Sequence, residues 1–208
     1  MSILTGFTAG LLLITLSELG DKTFFIGAIL AMRHSRRWVF TGVTAALLAM
    51  TILSVLIGQV VTALPHVYVQ GVAIALFLGF GGKLLYDAWS MARPGDLDHE
   101  QADALAAVEQ REQGLTTWST GAILAEAFTL TFMAEWGDRT QLATITLAAA
   151  HHPIGIVAGA SLGHTITTCI AVICGKLVAG RISERLLTGL GGGLFVLFGL
   201  ITALRMGT

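Results

Sequence analysis

The 208-residue chain is too apolar for a soluble domain of its length, with 54% hydrophobic residues, 12% charged residues and a formal net charge of −1. A soluble domain carries about twice that share of charge, disordered chains are polar and charged, and a nucleic-acid-binding protein would show a basic stripe. Cys169 and Cys174 lie in one apolar segment and indicate neither a disulfide framework nor a zinc site. The composition therefore predicts an all-α integral membrane protein that contacts lipid and no nucleic acid, with no required protein partner evident.

The positions of the few charges divide the chain into apolar segments. Residues 38–82 contain no Asp, Glu, Lys or Arg, and one helix of that length would be about twice as long as the hydrocarbon core is thick. This segment must fold back, and Pro65 marks the turn, as residues 151–153 do for a later segment. The apolar N-terminus lacks the basic residues of a signal peptide and is taken as the first span. We predict six transmembrane helices at about 3–32, 38–64, 67–90, 118–150, 154–179 and 185–206.

A hydrophilic linker at 91–117 separates two three-helix halves, residues 1–90 and 118–208. Six carboxylates and only two arginines lie in this acidic linker, and its residues 102–108 favour a short surface helix. The six carboxylates could concentrate cytoplasmic cations, but a solvated linker is the simpler interpretation of this stretch.

Basic residues lie on one side of the predicted membrane. The arginines of the loops on the linker side are Arg33, Arg36, Arg37, Arg93, Arg111, Arg181 and Arg185. Because cytoplasmic loops are enriched in Lys and Arg, the linker is predicted to face the cytoplasm and both termini the outside. We expect the inner (plasma) membrane of a bacterium as the location.

The two halves resemble each other when the sequence is compared with itself at an offset of 117 residues. Residues 17–23 (Ser-Glu-Leu-Gly-Asp-Lys-Thr) then align with 134–140 (Ala-Glu-Trp-Gly-Asp-Arg-Thr), and His34 aligns with His151. Each half has an odd number of helices, so the second half must enter the membrane from the opposite side. This pattern predicts an inverted repeat, an arrangement found in secondary transporters that bind their substrates near the membrane midplane.

Each copy of this motif places two carboxylates near the middle of a span. Glu18 and Asp21 are three residues apart, as are Glu135 and Asp138, and each pair would share one face of a continuous helix. Charged residues at this depth are costly and usually mark a transport pathway. Four converging carboxylates offer hard oxygen ligands, which favour Mg²⁺, Ca²⁺ or Mn²⁺ over Zn²⁺ or Cu²⁺.

Charge balance indicates exchange of a metal for protons. The four carboxylates carry −4, Lys22 and Arg139 return +2, and the remaining −2 equals one divalent cation or two protons. The metal would be the substrate and H⁺ the coupling ion, with no bound cofactor and no enzymatic activity. Further neutral oxygens come from Thr23, Thr140 and Gln141. The same spacing also allows Glu18–Lys22 and Glu135–Arg139 to be ion pairs that only fasten the helices.

The two motifs resemble the paired Glu-x-Gly-Asp-(Lys/Arg)-(Thr/Ser) signature of the GDT family of divalent cation/proton antiporters. The resemblance covers nearly the whole chain, with no departure inside either motif. It implies six core helices, an acidic central loop and transport of Mn²⁺ or Ca²⁺, with manganese export in bacterial members. The choice of manganese rests on this resemblance alone. The resemblance assigns cation binding to Glu18, Asp21, Glu135 and Asp138, and supporting roles to Lys22, Thr23, Arg139 and Thr140.

Two polar residues outside the motifs have open roles. Glu126, nine residues before Glu135, is either a vestibule ligand that passes ions to the site or a carboxylate wetted at the end of its helix. His164 is either a packing residue or a ligand. Other function classes also stay open: an exporter of small metabolites such as amino acids, and a passive divalent cation channel. A membrane hydrolase is disfavoured, since neither a nucleophile elbow nor a zincin motif occurs.

Overall fold

A computed structural model describes residues 2–63, 65–90, 97–112, 119–178 and 184–206, and these form helices and no strand. In chain order the helices are α1 (Ile3–Glu18), α2 (Lys22–Arg33), α3 (Arg36–Val61), α4 (His66–Ser90), α5 (Leu97–Glu112), α6 (Thr120–Ala134), α7 (Arg139–Ala150), α8 (Pro153–Val178) and α9 (Glu184–Met206).

The first and fourth predicted spans are each broken in the middle, which corrects the expectation of continuous helices over 3–32 and 118–150. The α1 and α2 axes are bent by 64°, and residues 135–138 separate α6 from α7. The cause is the backbone of Gly20 and Gly137, whose φ angles of 81° and 82° lie in the left-handed region. A right-handed helix cannot continue through that conformation, which glycine adopts far more readily than other residues.

Matching polar residues begin and end corresponding helices of the two halves. The Ser2 and Ser119 hydroxyls cap α1 and α6, and each accepts a backbone N–H of the first turn at 3.2 Å. The backbone N–H groups of His34 and His151 close the last turns of α2 and α7. Side-chain caps of this kind stabilise a helix start by about 1 kcal/mol. The local signals therefore repeat with the same offset as the motifs.

Each broken helix packs against a long helix of the other half. Helices α1 and α2 lie against α8, α6 and α7 lie against α3, and α4 packs along α9. Two glycines 117 residues apart make the contacts close. A Cβ at Gly42 would lie 2.7 Å from the Leu124 carbonyl oxygen of α6, and one at Gly159 would lie 3.0 Å from the Leu11 backbone nitrogen of α1. Small residues of this kind let helices approach closely in membranes.

The length and apolar surface of the helices place the chain in a membrane. Three segments of the described residues are long and apolar enough to cross a bilayer, and the bent α1–α2 pair would make a fourth. These three are Arg36–Val61, Val67–Ser90 and Pro153–Ile173; the segments Thr120–Ala134 and Thr188–Leu204 are apolar but shorter. Tyr68 and Trp89 are exposed near opposite ends of α4, where interfacial aromatic belts are found. Six spans in an inverted repeat stay a prediction.

The linker contains helix α5, as predicted for residues 102–108, but this helix is packed rather than solvated. It lies against α2 and touches α6. Ala104 and Val108 are completely buried, in the same apolar cluster as Phe24 and Val43. The two ends of the predicted linker, residues 91–96 and 113–117, lie outside the described residues.

Candidate metal centre

Three carboxylates from the two halves meet where the broken helices end. Glu18 is the last residue of α1, Asp21 is the N-cap of α2, and Glu135 is the C-cap of α6. One carboxylate oxygen of each lies within 4.8 Å of the other two. The exposed fractions of these residues are 2%, 8% and 2%. The helix breaks, rather than the shared helix face expected from the spacing, bring Glu18 and Asp21 together.

Two oxygens of this cluster have no hydrogen-bond partner in the described structure, Oε1 of Glu18 and Oε1 of Glu135. The second oxygen of each glutamate accepts a hydroxyl hydrogen bond, from Thr23 at 3.0 Å and from Thr140 at 3.2 Å. A buried carboxylate oxygen without a partner is unfavourable, and ionised carboxylates at this separation repel one another. A hard divalent cation such as Mn²⁺ or Ca²⁺ would satisfy the free oxygens and balance the charge.

Asp138, the fourth predicted carboxylate, is held apart from the other three. It is the N-cap of α7 and accepts from the Thr140 backbone N–H at 3.2 Å, and it shares the single Thr140 hydroxyl proton, at 3.0 Å, with Glu135. Its charge still acts on both Glu18 and Glu135. The structure therefore places three carboxylates at one point and the fourth beside them.

An ion pair joins the two motifs across the halves. The Arg139 guanidinium donates to the Asp21 carboxylate at 2.7 Å, and Lys22, the corresponding base of the first motif, is half-buried. The spacing in the sequence allowed Arg139 to pair with Glu135 on its own helix, and the motif gave it a supporting role at the site; in the structure it pairs with Asp21 of the other half. Because the break at Gly137 interrupts the helical spacing, Arg139 can reach the other half.

Gln141 supports the second helix break. Its Oε1 accepts the Gly137 backbone N–H at 2.7 Å, and its Nε2 lies 3.1 Å from the Met50 Sδ of α3. In this conformation the amide holds the break in place instead of adding to the carboxylate cluster. Nothing in the sequence around Met50 predicts its contact with Gln141.

Two further buried polar residues do not belong to the group of three carboxylates. Glu126 on α6 is only 3% exposed, and neither of its carboxylate oxygens has a hydrogen-bond partner among the described residues. It is therefore not the wetted carboxylate that one interpretation of the sequence expected. His164 on α8 is 5% exposed, with its Nδ1 likewise unpartnered among those residues.

Clustered buried carboxylates at paired helix breaks in a membrane-embedded bundle define a cation transporter. A family model described as "Divalent cation/proton antiporter GDT1" matches residues 6–92 and 123–208, two segments that begin 117 residues apart. The chain belongs to this GDT1 family. The match confirms the resemblance inferred from the two motifs.

Relatives from photosynthetic organisms match most of the chain. GDT1-like protein sll0615 of Synechocystis sp. is 57% identical over 201 residues, which cover 96% of this chain and 97% of that protein. GDT1-like protein 3 of Oryza sativa subsp. indica is 43% identical over 197 residues, covering 91% and 70%. Protein PAM71-homolog, chloroplastic, of Arabidopsis thaliana is 40% identical over 214 residues, covering 95% and 59%. No solved structure matches the chain.

Proposed function

We propose that the protein exports divalent cations, Mn²⁺ or Ca²⁺, from the cytoplasm in exchange for protons. The observation that carries this proposal is the meeting of Glu18, Asp21 and Glu135 at two helix breaks, with two carboxylate oxygens left unpartnered. Asp138 would become a further ligand of the ion when the segment around Gly137 changes conformation. Thr23 and Thr140 would orient the glutamates through their hydroxyl hydrogen bonds.

Exchange follows from the charge of this site. Three carboxylates within 4.8 Å of one another cannot all stay ionised in a buried place without a compensating charge. Arg139 pairs directly with Asp21, which returns one positive charge to the three carboxylates. The glutamates would therefore bind either a divalent cation or protons, and switching between these two states is the chemical requirement of antiport.

The proposed architecture is six spans formed by two inverted repeats, residues 1–90 and 118–208, joined by the linker 91–117. Its support is the correspondence between the halves. Gly20 and Gly137, at the two breaks, both have a left-handed φ near 80°, and the helices pack in equivalent pairs. In an inverted repeat the two breaks would face each other near the midplane, and each half could rock about the site.

The proposed orientation places the linker in the cytoplasm and both termini outside, in the plasma membrane. A single cysteine introduced near Asp98 should be protected from an impermeant thiol reagent in intact cells, whereas one near Thr208 should react. Labelling near Asp98 from outside would overturn the proposed orientation and, with it, the proposed entry of the cation from the linker side.

Proteoliposomes containing the purified protein test the antiport mechanism. A pH gradient alone should drive Mn²⁺ uphill, and Mn²⁺ added to the protein in weak buffer should release protons. The Glu18→Gln and Glu135→Gln variants should each lose transport while still inserting into the membrane. A channel with permanently ionised carboxylates would bind metal without proton release and without uphill movement, so that pair of results would refute antiport. Parallel assays with Ca²⁺ would establish the preferred ion.

A further inference from the structure

Helix α5 is attached to the short helix that carries part of the metal centre. Helix α2 begins beside Asp21, a carboxylate of the cluster, and ends at Arg33. At this end the Arg33 guanidinium contacts the Glu109 carboxylate at 3.3 Å and also pairs with Glu112. The His34 Nε2 lies 3.1 Å from the other Glu112 carboxylate oxygen. The last turn of α5 is therefore joined to the last turn of α2 by charged side chains.

The apolar contact between α5 and the rest of the bundle is small. Over residues 101–112 only Ala104 and Val108 are buried, one helical turn apart, in the apolar cluster that contains Phe24 and Val43. Two small side chains remove little apolar surface from water, and each partly exposed ion pair adds only a modest stabilisation. Helix α5 can therefore separate from the bundle far more readily than the long apolar helices can.

The corresponding end of the other half borders a cavity. This cavity has a volume of about 350 Å³, lies between α1, α4, α7 and α9, and includes Ala150 and His151 at the end of α7 in its lining. The residues 117 positions earlier, at the end of α2, are Arg33 and His34, the two residues that α5 contacts. One end of the bundle is thus open beside α7 while the equivalent end of α2 is covered. A transporter that opens to one side at a time needs such a difference between its two ends.

We propose that α5 is a gate on the linker side of the transport pathway. With Arg33 and His34 bound to Glu109 and Glu112 the gate is closed, and α5 must separate from α2 before a cation reaches the cluster from that side. This proposal rests on the proposed function, since a gate has a role only in a transporter. Because α2 has Asp21 at one end and the gate contacts at the other, a tilt of this one helix would change the cluster and the gate together.

The reactivity of a cysteine at position 108 measures the separation of α5. In the full-length protein in nanodiscs, with both native cysteines replaced by Ala, Val108→Cys should react slowly with a charged thiol reagent, because this side chain is completely buried. Adding Arg33→Gln and His34→Gln should raise the rate by at least about fivefold, the scale on which one such ion pair shifts an equilibrium. The control is Leu105→Cys, which is exposed on the same helix and should react equally fast with and without the two changes. An unchanged rate for Val108→Cys would overturn the proposed closing contacts.

A reversible cross-link tests whether transport requires this separation. In the same background, Arg33→Cys/Glu112→Cys protein in proteoliposomes should transport Mn²⁺, lose most of that transport when a bifunctional thiol reagent joins α2 to α5, and regain it when the link is reduced. The matched control is Glu109→Cys/Glu112→Cys, which takes the same reagent within α5 alone and should keep its transport.

The outcomes of the cross-link distinguish a gate from a fixed part of the fold. Undiminished transport with α2 joined to α5 would overturn the gate, and so would failure of that pair to be joined under conditions that join the control pair. Equal loss of transport in both pairs would show that modification of α5, rather than its attachment to α2, stops the protein, and would also overturn the gate. Failure of the antiport proposal would appear separately, as absent proton-driven Mn²⁺ transport by the unmodified protein.

Discussion

Replacing Glu18 with Gln should make the metal-free protein more stable while removing its response to metal. The substitution keeps the size of the side chain and an oxygen that can accept the Thr23 hydroxyl at its present 3.0 Å. It removes one negative charge from a cluster whose oxygens lie within 4.8 Å of one another. At an effective dielectric constant of about 20, each ionised pair at that distance repels by about 3.5 kcal/mol. Two such pairs involve Glu18.

The observed gain will be smaller than this repulsion, because the unmodified protein can take up protons to relieve it. We expect the metal-free Glu18→Gln protein to be more stable by on the order of 2 kcal/mol at alkaline pH. The difference should shrink at acidic pH, where the carboxylates are neutral. Mn²⁺ at about 100 times its dissociation constant should stabilise the unmodified protein by about 2.7 kcal/mol and the variant hardly at all. The order of the two stabilities should therefore reverse when Mn²⁺ is added.

Thermal unfolding in detergent, with and without Mn²⁺ at an acidic and an alkaline pH, measures this reversal. The Asp103→Asn variant is the matched control, because it also removes one carboxylate but from an exposed position, and it should follow the unmodified protein throughout. If Glu18→Gln is less stable than the unmodified protein under all four conditions, Glu18 is a structural partner and the cluster is not a cation site.

The remaining predictions concern the groups around the cluster. Thr23→Val and Thr140→Val each remove a hydroxyl that donates to a glutamate. Each should weaken Mn²⁺ binding by about tenfold in equilibrium titrations, and unchanged affinity would show that the hydroxyls do not orient the ligands. Arg139→Gln removes a positive charge 2.7 Å from Asp21, so the carboxylates should hold protons more tightly and the pH optimum of transport should rise. An unshifted pH profile would show that Arg139 does not influence the protonation of the site. In the Gly137→Ala variant the added Cβ would have no atom within 4 Å, but the residue would still need a φ of 82°. We therefore expect thermal unfolding to show a loss of about 1–2 kcal/mol of stability. The control is Gly79→Ala, where the added Cβ also has open space but the backbone is helical, and this variant should be neutral or stabilising. Equal stabilities of the two variants would show that a left-handed φ at residue 137 does not penalise a side chain.

The sequence by itself determined the membrane class and the transporter family, and it predicted the carboxylates of the candidate site. Apolar composition and the spacing of charges are local properties, so they can be read without a structure. The two Glu-x-Gly-Asp motifs can be recognised from a few neighbouring residues in the sequence. The family match at 6–92 and 123–208 agrees with the repeat that those motifs indicated.

Only the tertiary structure decided how the carboxylates meet. A continuous helix and a broken helix have nearly the same apolar pattern, and the sequence gives only glycine as a hint of a break. The left-handed φ at Gly20 and Gly137 ends each helix beside its glutamate, and packing of the two halves then brings Asp21 within 2.7 Å of Arg139. The contacts of Gln141 with Met50 and of Glu112 with His34 join residues 91 and 78 positions apart. Contacts at such separations depend on how the helices pack, because no periodicity within one element relates the residues that form them.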